Sequence, residues 1–407
     1  MIPEVKAKIK RIQLRSIPEG YKKTKVGVIP DMWRCYQIHE CLSICNHERK
    51  PISEDVRKTI PGPYPYYGPT QAQGYIATYE SKGPAVLIGE DGDHFLKYKD
   101  REMTMYVDGK YTVNNHAHVL RGTELCETEW FYYAYQHKSL FDAITRQGAG
   151  RYKLTKEALI KLPLQCPPIE EQRKIISILT TQDKVIDLKE KLLGEKQRQK
   201  KYLMQQLLTG KKRLPGFYGA WSFPKAKEIF QSVSDKDHKG DLAVLSSTQD
   251  RGIVPRDEVD IDIKYDACSL VNYKKVSKGN FVISLRSFQG GIEYSTYTGL
   301  VSPAYTVLSS RKEISDGYYK QFFKSTDYIN RLNVAVYGIR DGKQISYEDF
   351  GRLRIPYPPI KEQDAIAEVL STADHEIDLL QQDIEQEKQK KKALMQLLLT
   401  GIVRVKT

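Results

Sequence analysis

One stretch of this chain occurs twice. Pro167 to Leu214 and Pro358 to Val405 align without a gap at a constant offset of 191, and about 22 of 48 aligned positions are identical. The register continues upstream, where Lys153-Leu154-Thr155 faces Gln344-Ile345-Ser346 and Leu162 faces Leu353. Each copy reads as one long helix. A Pro-Pro pair precedes it, and proline is tolerated only at a first turn. Glu170 and Glu171, or Glu362, place negative charge where the helix dipole favours it. Thr209-Gly210 and Thr400-Gly401 close the two helices, with glycine as the C-terminal cap. About forty residues at ~1.5 Å each give a rod of ~60 Å.

The apolar positions recur at alternating spacings of four and three, which makes one narrow seam. In the first copy the seam runs through Ile175, Leu179, Ile186, Leu193, Leu203 and Leu207. In the second it runs through Ile366, Leu370, Ile377, Leu380, Ile384, Leu394 and Leu398. Polar residues interrupt both seams at the same place, around Glu195 to Lys201 and Glu387 to Lys392, as a solvated part of the coil or a surface for another subunit. Two matched helices in one chain are expected to pair with each other as a coiled coil, against the plainer reading of two independent surface helices.

Two globular segments lie before and between the copies. Both mix strand-like runs (Ala85 to Ile88, Phe281 to Ser284, Tyr305 to Leu308) with helix-like ones (Glu129 to His137, Tyr318 to Asn330). Their sequences differ while the helices agree, which suits two reading heads on a shared spacer. The chain has 407 residues with 64 Lys+Arg against 51 Asp+Glu, a formal +13 that favours a polyanionic partner such as nucleic acid. Lys184 to Arg213 carries 10 basic and 3 acidic side chains, a local excess suited to DNA or to an acidic protein surface, whereas His375 to Arg404 is balanced. No apolar run approaches the roughly 20 residues of a membrane span. Met1 to Lys6 lacks a signal-peptide core, and six cysteines are too sparse for a disulfide framework, so the cytoplasm is the expected compartment.

Catalytic constellations are missing. The Pro-Pro pairs follow Cys166 and Tyr357 and precede isoleucine, so the Asp/Asn donor and stacking ring of a nucleic-acid amino-methyltransferase are absent. No glycine-rich cofactor loop and no phosphate loop appear. Cys35, His39, Cys41, Cys45 and His47 cluster, but without paired CxxC knuckles, and His116 with His118 makes a weak pair. No catalytic residue, metal site or bound cofactor is assigned.

The pattern of Pro-Pro-x-x-Glu-Gln opening a long helix and Leu-Met-Gln-x-Leu-Leu-Thr-Gly closing it, twice, resembles the specificity subunits of type I restriction-modification systems. Pro65 to Thr70 with Gly74-Tyr75-Ile76 looks like the first-domain motif of that family; Phe281 to Phe288 and Ser302 to Tyr305 look like motifs of its second. The resemblance implies an α+β fold with two globular target-recognition domains separated by two long antiparallel coiled-coil helices, a pseudo-two-fold internal repeat. The domains would span 1–166 and 211–357, with a central spacer helix at 167–210 and a C-terminal one at 358–407. It further implies a non-catalytic, prokaryotic, cytoplasmic subunit that reads a bipartite, asymmetric site in double-stranded DNA. Such a subunit docks two modification subunits, which carry S-adenosylmethionine and methylate adenine N6, and restriction subunits that translocate and cleave.

Side chains able to read base edges or hold phosphates are the candidate contacts. In the first domain these are Tyr66, Tyr67, Gln71, Gln73, Lys82 and Arg146, and in the second Ser247, Gln249, Arg286, Ser287, Gln289, Arg340 and Lys343. For each the plain alternative is a solvated loop residue, or for the tyrosines a core aromatic. Two rival functions stand beside this reading: a self-contained DNA methyltransferase or nuclease, and a coiled-coil spacer that reads no DNA.

Overall fold

Both copies of the repeat fold as expected, each as one unbroken helix of 39 residues, Ile169–Leu207 and Ile360–Leu398. The computed structural model describes residues 3–14, 16–147, 151–249, 251–259, 267–285, 287, 291–336 and 345–406. The chain divides into two compact units, Met1–Leu188 with Ile384–Thr407, and Lys189–Asp383. Each unit therefore takes part of each long helix. The helices expected at 167–210 and 358–407 contribute their ends to the core of each unit, and the second helix runs to Leu398.

The cores show why. In the first unit Ile175, Leu179, Leu398 and Leu399 pack in one cluster with Trp33, Trp130 and Phe131. In the second, Leu207, Leu208, Ile366 and Leu370 join Phe230, Phe281, Tyr319 and Phe323. Two four-stranded sheets complete the first unit. One orders Ser43–Ile44, Ala117–Arg121, Ala85–Gly89 and Thr104–Val107, all antiparallel. The other orders Ala72–Ile76, Pro61–Tyr67, Lys110–Val113 and Ser81–Lys82, with one parallel pairing. The second unit has a four-stranded sheet of Phe230–Val233, Thr306–Ser310, Phe281–Ile283 and Glu293–Tyr294. It adds the hairpin Leu245–Thr248 with Gly252–Pro255. The run expected as one helix from Tyr318 to Asn330 is two, Asp316–Phe322 and Thr326–Val336.

Every residue assigned to the seam is buried or half-buried. The polar interruptions are not a solvated gap. In the second unit Lys189 Nζ meets Asp383 at 2.8 Å, Lys196 meets Glu376 at 2.7 Å, and Lys200 meets Asp374. As the first helix advances from 189 to 200 its partners fall from 383 to 374, so the helices run antiparallel. In the first unit Gln182 Nε2 donates to Glu387 at 2.6 Å, and Lys391 meets Asp183 at 2.6 Å. Lys391–Asp183 and Lys200–Asp374 are the same pair displaced by the repeat offset. Much of the first helix's positive charge is thus spent on its neighbour.

Both helix starts carry an identical lock. The buried Glu171 takes two hydrogen bonds from Arg404, at 2.5 and 2.7 Å, and one from the Trp33 indole at 3.0 Å. Glu362, equally buried, takes two from Arg213, at 2.5 and 2.6 Å, and one from Trp221 at 2.9 Å. The next residue, Gln172 or Gln363, accepts a backbone N–H (Glu127 or Ser315, each 3.0 Å). It donates to the first proline carbonyl of its motif. The Glu-Gln of the motif is therefore a buried polar joint between helix and domain; only the exposed Glu170 is left to the dipole. At the far ends Gly210 and Gly401 adopt φ of +71° and +69°, as a glycine cap requires. A Cβ on Gly401 would lie 2.5 Å from Pro30.

Removing the carboxylate strands the tryptophan indole N–H and leaves a guanidinium that is 34% exposed at Arg404 and 25% at Arg213, at about 1–3 kcal/mol. Glu171→Ala and Glu362→Ala are each expected to lower stability by about that amount in urea unfolding; a loss under ~1 kcal/mol for both would show that the lock does not hold the joint. Gly401→Ala is expected to lower the melting temperature more than Gly210→Ala. The nearest atoms to a Cβ at Gly210 are 3.1 Å away on the Trp221 ring, rather than 2.5 Å.

Candidate nucleic-acid interface

The sheet containing Pro61–Tyr67 assembles most of the candidates in the first unit. Gln71 and Gln73 are exposed on the turn and strand that follow Tyr67. Gln71 closes the turn through its carbonyl, which accepts from Gly68 N–H at 2.8 Å. The Gln73 side chain lies over Gly68 and accepts from Asn114 at 3.2 Å. Lys82 is exposed and sits opposite Lys110 across the antiparallel pairing, so two cations share one edge. Lys110 also stands 4.7 Å from the Tyr79 ring and 5.7 Å from Tyr64, rings that pack edge to face at 5.0 Å. Neither Lys110 nor this aromatic pair stands out in the sequence; Tyr64 lies on a strand and Tyr79 in the loop after Ala72–Ile76, so their meeting leaves no periodic signal. Tyr75 is exposed on the same sheet.

Arg146 is exposed on the hairpin Thr145–Gln147 with Arg151–Lys153, where Gln147 pairs with Arg151. The second arginine was missed. A basic hairpin of this kind can reach a phosphate or a guanine edge.

Two candidates are structural instead. Tyr66 is 1% exposed; its hydroxyl accepts from Ile52 N–H at 2.9 Å and donates to the Lys50 carbonyl at 3.1 Å, with Arg57 4.7 Å over the ring. It ties a loop to the sheet and has no face for DNA. Ser287 is also 1% exposed, and its hydroxyl accepts from Ser284 N–H at 2.9 Å. Tyr67 is half-buried, edge-on to Tyr111, and burial pushes its phenol up. Its packing is that of a core aromatic.

In the second unit Ser247 is half-buried in the hairpin and Gln249 is exposed at its tip. A cleft of about 510 Å³ joins Gln249 and Arg251 to Lys200, Lys320 and Lys324, with Asp374 and Asp378 also in its lining. Lys324 donates to the Gln249 carbonyl at 3.2 Å. Arg286, Gln289, Arg340 and Lys343 lie outside the described residues. The two histidines weighed as a metal pair are apart in role: His118 is buried between Asn46 and the Leu154 carbonyl, while His116 meets Asp91 at 2.9 Å. Burial holds His118 below the usual imidazole range. Among the described residues no helix is long and apolar enough to cross a membrane.

Two separate domains, each exposing basic and amide side chains and each locked to the same duplicated helix motif, match what is known of other chains. The family described as Type I restriction modification DNA specificity domain matches residues 30–195 and 210–389. The chain is 33% identical over 142 residues to a type I restriction enzyme specificity subunit of Haemophilus influenzae, covering 35% of each. It is 25% identical over 432 aligned positions to the MjaX specificity subunit of Methanocaldococcus jannaschii, covering 96% of this chain and 98% of that one. Its fold is that of the type I restriction-modification S subunit from M. genitalium, with a TM-score of 0.58 at 13% identity over 92% of this chain and 97% of that one. The chain belongs to the type I restriction-modification DNA specificity family, and it is a DNA sequence-recognition subunit.

Proposed function

We propose that this subunit reads a bipartite, asymmetric site in double-stranded DNA, one half with each recognition domain, and performs no chemistry itself. The observation that carries this is the duplicated lock. Glu171–Arg404–Trp33 and Glu362–Arg213–Trp221 give two dissimilar domains one and the same attachment to the long helices. In the first domain Lys82, Lys110, Arg146 and Arg151 hold phosphates while Gln71 and Gln73 meet base edges. Gln249 and Arg251 serve the second. Tandem heads gain affinity because the second half-site binds intramolecularly.

On this reading two modification subunits dock on the specificity subunit, bring S-adenosylmethionine and methylate adenine N6; restriction subunits join the same assembly in the cytoplasm. Membership of the family supports this composition. The decisive experiment combines the purified chain with its modification subunits and a library of duplexes. Methylation confined to one bipartite sequence is expected; methylation without sequence preference would end the proposal, as would label transfer from S-adenosylmethionine by this chain alone.

Phosphate contacts and base contacts separate by salt. Lys82→Ala with Lys110→Ala is expected to weaken binding to all duplexes alike and to reduce the slope of log affinity against log salt by about 1 per lysine. Gln73→Ala is expected to relax preference in one half-site at an unchanged slope. Tyr66→Phe is expected to lower stability and leave the recognised sequence intact.

On this reading the length of the two long helices sets the number of unread base pairs. One heptad inserted into both helices adds ~10 Å, or about three base pairs. The preferred gap is expected to widen by that amount with both half-sites unchanged, as read by mapping methylated adenines; an unaltered gap would remove the helices as the ruler.

A further inference from the structure

Three cysteines far apart in sequence converge in the first unit. Cys41 ends the short helix Ile38–Cys41, Cys126 precedes the helix Thr128–Tyr135, and Cys166 immediately precedes the Pro-Pro pair of the first long helix. Their sulfur atoms all lie within 4.8 Å of one another, and all three residues are buried. The local spacing that drew attention to Cys41 and Cys45 is not what forms the group; Cys45 lies elsewhere, its thiol within 4.0 Å of the Ser43 carbonyl.

The second unit supplies an internal control. Ser315 takes the place of Glu127 at the Gln363 amide, and the short helix Ala226–Ile229 takes the place of Ile38–Cys41, each with a glutamate bonded to the residue before it. The positions that answer Cys41, Cys126 and Cys166 are then Ile229, Ile314 and Tyr357, all in the apolar cluster of that unit. The fold closes this joint with ordinary apolar side chains, so it does not require thiols here.

The group is buried and made of sulfur alone. Among the described residues no histidine or carboxylate joins the three sulfurs. Cys166 also lines a cleft of about 290 Å³ that opens beside Met32, whose side chain is 70% exposed. The corresponding residue before Trp221 is Ala220. Met32 and Cys166 line this cleft together with Arg34, Tyr36 and Glu124, so an exposed thioether shares a cleft with one of the three buried thiols. Thiolate and thioether ligands select soft ions, and three sulfurs joined by no fourth histidine, cysteine or carboxylate among the described residues suit trigonal coordination rather than the tetrahedral preference of zinc.

We propose that Cys41, Cys126 and Cys166 form a three-thiolate site for a copper(I) ion, with Met32 at its entrance, at the joint between the first recognition domain and its long helix. Binding displaces the thiol protons to solvent and involves no change of oxidation state. The ion would cross-link the short helix, the loop before Thr128 and the start of the long helix.

The test is an anaerobic titration of the full chain with copper(I) against a competing chelator, read by thiolate-to-copper ultraviolet absorption and by X-ray absorption at the copper edge. One ion per chain with three sulfur neighbours, and a raised melting temperature, is the expected result. Cys126→Val is expected to abolish the site, and Cys35→Ser to leave it unchanged. Met32→Ala should slow loading at least several-fold without altering the ligand count. Nitrogen or oxygen neighbours, loss of binding in Cys35→Ser, or one-to-one zinc uptake that copper(I) fails to displace would overturn the assignment. Should Cys126→Val not fold, the copper-edge count on the native chain still decides it.

Discussion

The structure depends on a buried carboxylate held by a guanidinium and an indole. Glu171 and Glu362 are each fully enclosed, and each satisfies both oxygens through an arginine that lies just beyond the end of the other long helix. A charge placed in a dry core is costly unless its partners are fixed. That cost makes the joint specific: only one placement of tail, tryptophan and helix start leaves no oxygen unpaired. Two domains of different sequence can then keep one attachment, because the attachment uses none of the residues that differ between them.

Along the helices the same logic sets register. A purely leucine seam tolerates sliding, whereas Lys189–Asp383, Lys196–Glu376 and Gln182–Glu387 are satisfied in one alignment only. Each such pair is partly exposed and contributes little stability alone. Their number and order fix which residue faces which.

Local features were legible in the sequence. The Pro-Pro starts, the glycine ends and the seam all follow from helix geometry, and Thr155 and Ser346 cap short helices at matching positions. The strands at Ala85–Gly89 and Phe281–Ile283 were visible as β-branched runs. Contacts made across the fold were not. Tyr66 looks like a surface tyrosine until its hydroxyl is found between Ile52 and Lys50, and Ser287 like a loop hydroxyl until it caps Ser284. Lys110 and Arg151 carry no local mark; register places them beside Lys82 and Gln147. The shared plan of the globular segments was hidden because equivalent positions such as Cys126 and Ile314 share burial rather than chemistry.

The lysine–carboxylate pairs carry a further consequence. Were two second-copy helices to associate in this register, Glu376 would confront Glu387, the residue that answers Lys196. Two first-copy helices would leave Lys189 against Leu192 and Lys196 against Val185. The lysine–aspartate pair of Lys200 and Asp374 survives in every combination, because Lys391 and Asp183 are its repeat equivalents; the other pairs favour the unlike helix. Duplication made the strands of this coil alike; divergence has since turned part of that likeness into complementarity.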